Sequence, residues 1–376
     1  MTDIGARPLH GYTVAVTADR RRAELASLLE RRGARVVSAP TMRIQPLDES
    51  AVFAATQNCL RAPVDLLVVT TAIGLRSWLD AADGWGLGET LRAHLSAIEV
   101  VARGPKARGA VRAAGLRDGW TPASETMDEV TRRLLARDLR GQRVVVQLHG
   151  EPLTAHLQAL RDAGADVVDI PVYMWAPPPH AARATRLVNL VVSRQVDAIT
   201  FTSAPAVDGL LRIARNADRD DALLDALRTD VVPVCIGAVC ATPLARIDVP
   251  TVQPARARLG DLVRTLASEV PTRRASTLRV ANRRLEIRGH LVVVDDRVVD
   301  VPPAPMAVLR ALARQPGRVL DRDELARALP ADHTSDEPAT RPGGHAIEMA
   351  VTRLRALLGD RELVQTVVKR GYRLPV

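Results

Sequence analysis

One strand–helix–strand design is written twice in the first 270 residues, in an order that few folds can satisfy. Val14-Ala-Val-Thr17 reads as a short buried strand, and Ala23 to Arg32 as a helix with Leu25, Leu28 and Leu29 on one face. Gly33 stops that helix, and Arg35 to Pro40 forms a second strand. The design returns as the strand Val144–Val146, the helix Leu153–Ala163, the stop Gly164 and the strand Asp166–Pro171. Gly33 and Pro40 are seven residues apart, as are Gly164 and Pro171.

A second plan is also doubled. Leu66–Thr71 is a strand ending in two hydroxyls, followed by a helix through Leu75, Trp78 and Leu79, and then by the strand Glu99–Arg103, Gly104 and a further helix. Its counterpart runs from Ala198 to Ser203, through a helix with Val207, Leu210 and Leu211, to the strand Val232–Ile236 and Gly237. The two plans alternate along the chain. Strand–helix alternation implies parallel sheets with right-handed crossovers. Two lobes form either from neighbouring units or with the first unit returning to pair with the last. Thr41–Leu47 and Val172–Ala176 follow the matching prolines and are extended in character, which favours the second arrangement. The expected fold class is therefore a bilobed α/β domain over 1–270, made of two doubly wound parallel-sheet lobes joined by two linker strands. Lobe 1 is 1–45 with 177–270, and lobe 2 is 50–171.

Open α/β sheets bind ligands beyond the C-terminal ends of their strands, against helix N-termini. Thr17, Thr70, Thr71, Thr202 and Ser203 end strands, and their hydroxyls and following N–H groups suit carboxylates; capping the next helix is their plainer role. Gly104-Pro105-Lys106 sets a lysine at a helix start, Arg20 opens an arginine triplet, and His149-Gly150 and Gly237 occupy further turns. Nothing competes with anion binding. No glycine-rich phosphate loop follows a strand, and the eight histidines have no metal-ligand spacing, so neither a cofactor nor a metal is expected.

The order and spacing of Val14–Thr17, Gly33–Pro40, His149-Gly150, Val172-Tyr173, Phe201-Thr-Ser203 and Ile236-Gly237 resemble uroporphyrinogen-III synthase, the HemD family. That resemblance implies a site for hydroxymethylbilane, a linear tetrapyrrole with eight carboxylates, closed without metal or organic cofactor. It implies that Tyr173 assists departure of the terminal hydroxyl. The family's Pro-Thr-Thr after the Ile-Gly pair is here Ala238-Val239-Cys240, which removes two hydroxyl donors and places turnover in doubt.

The last hundred residues change pattern. Pro271–Thr277 is polar and breaker-containing, an expected linker. Short strands follow at Leu285–Arg288, Leu291–Val294 and Val298–Val301, then an amphipathic helix through Met306, Leu309 and Leu312. Asp321-Arg-Asp-Glu324 is a capping box that opens a second helix. His345–Leu358 is a third, with Ile347, Val351, Leu354 and Leu358 inward, and a hairpin turning at Lys369-Arg370-Gly371 closes the chain. Pro316–Leu320, Arg353-Leu-Arg355 with Leu358-Gly359, and Gly371-Tyr-Arg-Leu374 resemble the winged-helix domain of OmpR/PhoB-type regulators over 278–376. The outward residues His345, Glu348, Met349, Thr352 and Arg355, with Arg353 at the flank, are expected at the major groove. Lys369, Arg370 and Arg373 are expected at phosphates or the minor groove.

Charge agrees with that division. The net charge is +9, and from Arg273 onward nineteen basic residues face thirteen acidic ones. No run of 18 apolar residues or N-terminal apolar segment occurs, and the three cysteines make no C-x-x-C pair; a cytoplasmic protein without membrane partners is expected. The resulting expectation is a transcriptional regulator with double-stranded DNA and a tetrapyrrole or other polycarboxylate as partners, bound to DNA as a homodimer. The pairing of the two domains resembles actinobacterial regulators of nitrate and nitrite assimilation, which fits because sirohaem derives from uroporphyrinogen III. Two alternatives stand beside it: an active synthase carrying a DNA-binding appendage, and a ligand-free docking scaffold.

Overall fold

The computed structural model describes residues 7–148, 150, 153–178, 180–329 and 344–375, in two compact units. Unit 1 joins Met1–Met42 to Pro178–Val376, and unit 2 is Arg43–Pro177.

In unit 1 the chain's first repeat pairs with its last. Strands β1 (Thr13–Val16), β2 (Arg35–Ser38), β9 (Ala198–Phe201) and β10 (Val232–Cys235) form a parallel sheet in the order β10-β9-β1-β2. Val14 stands opposite Ala198 on one side and Val36 on the other. Every residue of the central strands β1 and β9 is buried, as parallel strands covered on both faces require, and β10 is buried too because Val252 bridges Val234 along its outer edge. The opposite edge strand, β2, carries a partly exposed pattern.

Unit 2 contains the two middle repeats. Strands β4 (Leu66–Val69), β5 (Glu99–Ala102), β6 (Arg143–Gln147) and β7 (Asp166–Ile170) give the order β5-β4-β6-β7, again all parallel. The two extended segments after the matching prolines are β3 (Arg43–Pro46) and β8 (Tyr173–Ala176), an antiparallel pair with Pro46 opposite Tyr173. Trp78 anchors one core: its ring is fully buried, and its indole N–H donates to Thr56 at 2.9 Å. Truncating it to alanine would cost about 3–5 kcal/mol through lost burial and a residual cavity.

The winged domain lies within unit 1. Residues 271–277, expected as a linker, are instead the end of the helix Leu259–Arg274 and the start of β11 (Ser276–Val280). The helix persists because Val270 is buried and the Arg274 side chain, only 16% exposed, is drawn toward Asp230. Strand β11 pairs with β12 (Arg283–Arg288), and β13 (Leu291–Val294) and β14 (Arg297–Asp300) complete a four-stranded antiparallel sheet. Three helices follow, Pro303–Arg314, Arg322–Ala328 and Gly344–Leu358. The second has the expected reciprocal capping box between Asp321 and Glu324. The third buries Ile347, Val351, Leu354 and Leu358, and β15 (Gln365–Val367) and β16 (Gly371–Arg373) form the wing.

Candidate anion-binding and DNA-binding sites

In unit 2 the strand ends gather a polar group around one tyrosine. β4 runs into Thr71, whose hydroxyl accepts from the N–H of Gly74 and so caps the following helix. The same hydroxyl lies 3.1 Å from the Tyr173 hydroxyl, which the start of β8 supplies. Tyr173 is 6% exposed, so its ring is core while its hydroxyl reaches the strand ends. Arg103, directly after β5, donates its backbone N–H to Val69, and burial presses its guanidinium below the ordinary arginine range against opposing contributions from Tyr173 and Glu125. Gly104 is the N-cap of the helix Pro105–Ala113 and offers no side-chain cap, and the Glu125 carboxylate lies beside it, 3.2 Å from where a Gly104 Cβ would stand. Lys106 stands exposed in its first turn.

Thr70 points the other way. Its hydroxyl donates to the Gln147 carbonyl at 2.7 Å, tying β4 to β6, and the residue is buried. Thr17 in unit 1 does the same work, fully buried and donating to the Thr200 carbonyl. Both were expected to hold ligand; both are internal bridges because each sits one residue too early to clear the sheet.

The remaining unit 1 candidates sit at strand ends. Thr202 and Ser203 follow β9 and are half-buried; Ser203 is the N-cap of the helix Ala204–Asn216 but makes no side-chain cap. Gly237 precedes the helix Ala238–Ala245, which likewise has no side-chain cap. Val239 is 42% exposed there and Cys240 is buried, and the Cys240 thiol together with burial pushes the Cys235 thiol up, so that it stays protonated. Arg20 is exposed, and His149 lies outside the described residues.

On the winged domain, His345, Glu348, Met349, Thr352 and Arg353 are exposed along the third helix. Met349 is 59% exposed, unusual for an apolar side chain on an otherwise packed helix. Glu348 pairs with Arg322 of the second helix at 2.5 Å. Arg355 departs from its expected role. Its guanidinium donates to the Val364 carbonyl at 2.8 Å and to the Thr366 hydroxyl, and lies over the Tyr372 ring, so it braces helix against wing instead of facing outward. The helical period alone could not show this, because the wing folds back over that edge of the helix. Lys369 and Arg370 are exposed at the wing tip beside Val368, while Arg373 bonds Gln365 across the wing.

Residues 23–264 match the family described as uroporphyrinogen-III synthase HemD. The chain belongs to that family. Residues 296–374 match a second, described as the C-terminal domain of transcriptional regulatory proteins. An uncharacterized Bacillus subtilis protein, YjjA, is 27% identical over 264 residues, covering 69% of this chain and 96% of its own length. A mutant uroporphyrinogen III synthase from the extremely thermophilic bacterium Thermus thermophilus superposes with a TM-score of 0.59 at 26% identity, covering 69% of this chain and 100% of that one. The DNA-binding domain of Klebsiella pneumoniae RstA, solved with the RstA box, is 21% identical with a TM-score of 0.21, over 27% of this chain and 97% of that one.

A HemD domain joined to a regulatory C-terminal domain makes this a DNA-binding regulator in architecture. No helix among the described residues is long and apolar enough to cross a membrane. Within the HemD domain, sequence reasoning passed over Arg103. It reads as the last residue of an apolar strand, and its only signal is a cation immediately before a capping glycine.

Proposed function

We propose that the chain is a transcriptional regulator whose HemD domain senses a tetrapyrrole or related polycarboxylate. The observation that carries this reading is the presence of both family domains in one chain, the synthase-like one standing in the place of a signal-input domain. The site chemistry supports sensing over turnover. The helix start after Gly237 presents Ala238, Val239 and a buried Cys240 where hydroxyl donors would steady a reacting substrate. Thr71, Arg103, Lys106 and the helix start after Gly104 carry the hydroxyl, cations and dipole that suit carboxylates. Binding of a homodimer to DNA and control of nitrate and nitrite assimilation belong to the same proposal, the second because sirohaem is made from this family's product.

The test uses the full chain and DNA from its own promoter region. Fluorescence anisotropy with and without uroporphyrinogen III or hydroxymethylbilane should show a ligand-dependent change in affinity, with isomer III formed far more slowly than the roughly 1 per second of ordinary enzymes. Unchanged affinity with either tetrapyrrole, or turnover at enzymatic rates, would replace sensing with the active-synthase reading.

A further inference from the structure

A second polar region lies at the opposite, N-terminal edge of the unit 1 sheet, where the HemD lobe meets the winged domain. The seam is close-packed in part. The His290 backbone N–H donates to the Gly11 carbonyl at 2.8 Å, and a Cβ at Gly11, whose φ is +94°, would stand 2.7 Å from the Arg288 carbonyl oxygen. Beside this contact opens a cavity of about 920 Å³. Its walls come from both domains: Arg186, Arg194 and Arg219 from the lobe, and Arg310, Arg314 and Arg327 from the winged domain.

Charge in this cavity is under-compensated. Seven arginines and His290 line it against four aspartates. Asp230 alone is shared by three guanidinium groups, Arg314 at 2.7 Å, Arg194 at 3.1 Å and Arg274 at 3.8 Å. Arg310 is occupied by Asp197 at 3.2 Å and by the carbonyls of Gly289 and Arg194. Arg186 and Arg219 have no carboxylate within ion-pair distance among the described residues. The Nδ1 of His290 is buried without a hydrogen-bond partner among the described residues. Guanidinium groups crowded in a partly desolvated wall repel one another, and a bound anion relieves that cost while offering each a bidentate acceptor.

We propose that this seam binds a small polyanion, a molecule with at least two carboxylate or phosphate groups, bridging Arg219 and Arg194 of the HemD lobe to Arg314 of the winged domain. The site is separate from the strand C-terminal groups of the sensing proposal and does not rest on it. A ligand held by both domains stabilises their docked arrangement by mass action. Asp230 is the internal competitor for the same arginines.

The full chain is titrated calorimetrically at low salt with pyrophosphate in one arm and citrate in the other. One saturable site per chain with a Kd below about 1 mM is expected in at least one arm, and the arm that binds assigns phosphate or carboxylate chemistry. Arg219→Ala with Arg314→Ala should weaken binding at least about tenfold. Asp230→Asn should tighten it severalfold; should that variant fail to fold, the exposed Asp225→Asn, which removes one of the two carboxylates on Arg194, carries the same sign. Arg370→Ala in the wing, which lies outside the cavity, should leave the affinity for pyrophosphate and citrate unaltered. The proposal is overturned by no saturation in either arm, by loss of binding in folded Asp230→Asn or Asp225→Asn, or by binding that follows Arg370 instead of Arg219 and Arg314.

Discussion

The carboxylate of Asp197 accepts a hydrogen bond from Arg310 at 3.2 Å, although one residue ends a loop of the HemD lobe and the other belongs to the first winged-domain helix. Asp197 also accepts from the Thr13 N–H at 2.8 Å and is 3% exposed. It thus closes the N-terminal edge of β1 and β9 and fixes the neighbouring domain with the same two oxygens. Asp197 directly precedes β9, and Thr202 and Ser203 directly follow it, so a single buried strand connects the docking contact to candidate ligand groups.

Asp197→Ala should therefore destabilise the protein by about 3 kcal/mol, since it leaves Arg310 partly buried without its counter-charge and the Thr13 N–H without its acceptor. Arg35→Ala, which loses an exposed 3.5 Å contact with Asp300, should cost no more than about 0.5 kcal/mol. Denaturant unfolding of the two variants measures the contrast. Equal costs would mean that the seam is held by packing alone.

Tyr173→Phe removes the hydroxyl 3.1 Å from Thr71 and should cost about 1 kcal/mol, the net worth of one part-buried hydrogen bond. Thr71→Ala should cost more, about 1–2 kcal/mol, because it also removes the cap on Gly74. If thermal unfolding ranks them in reverse, the Tyr173 hydroxyl is held chiefly by other groups.

His290 gives a pH signature. Burial lowers its pKa, with Arg35 and His10 adding to the effect and Asp300 and Asp197 opposing it. The unfolded imidazole, near pH 6.5, then takes up its proton before the folded one does. Stability attributable to His290 is full above that pH and declines as pH falls through it. His290→Asn should flatten the dependence of the unfolding midpoint between about pH 5 and 7. An unaltered slope would assign the decline to other groups.

Much of this architecture was legible from spacing. The matched prolines marked the two extended segments that pair as β3 and β8, and the alternation of two repeat plans implied parallel sheets but left open which units meet; the extended segments favoured the first with the last. The winged domain was readable from its capping box and its third-helix period. What spacing could not reveal was which side of a strand end a hydroxyl takes. Thr70 and Thr71 are adjacent and chemically alike, yet one bonds Gln147 inside the sheet and the other clears it. Arg355 was hidden for a related reason: its partners, Val364 and Thr366, come from the wing, and a helical wheel contains no wing. Neither the Asp197–Arg310 contact nor the arginine-lined seam has any local sequence signal, because both are made between segments far apart in the chain, 113 residues for Asp197 and Arg310 and 84 for Asp230 and Arg314.

The DNA-binding face separates three kinds of arginine, and binding measurements should resolve them. Arg353 is exposed on the third helix, so Arg353→Ala should leave thermal stability unchanged and, where the side chain reads a base edge, cost about 1–3 kcal/mol at one operator position. Arg370 is exposed at the wing tip; Arg370→Ala should weaken specific and non-specific binding alike and reduce the salt slope by about one unit, the signature of a lost phosphate contact. Arg355→Ala should behave differently from both. It removes donors to the Val364 carbonyl and Thr366 and the contact with Tyr372, so the wing loosens and stability falls by about 1–2 kcal/mol. Its affinity loss should come without any change in which base is preferred, since no base contact has gone. Anisotropy against a set of single-base operator variants, run beside thermal unfolding, distinguishes these outcomes. A stable Arg355→Ala protein with relaxed specificity at one position would restore Arg355 to the base-reading set and show that the brace opens on DNA.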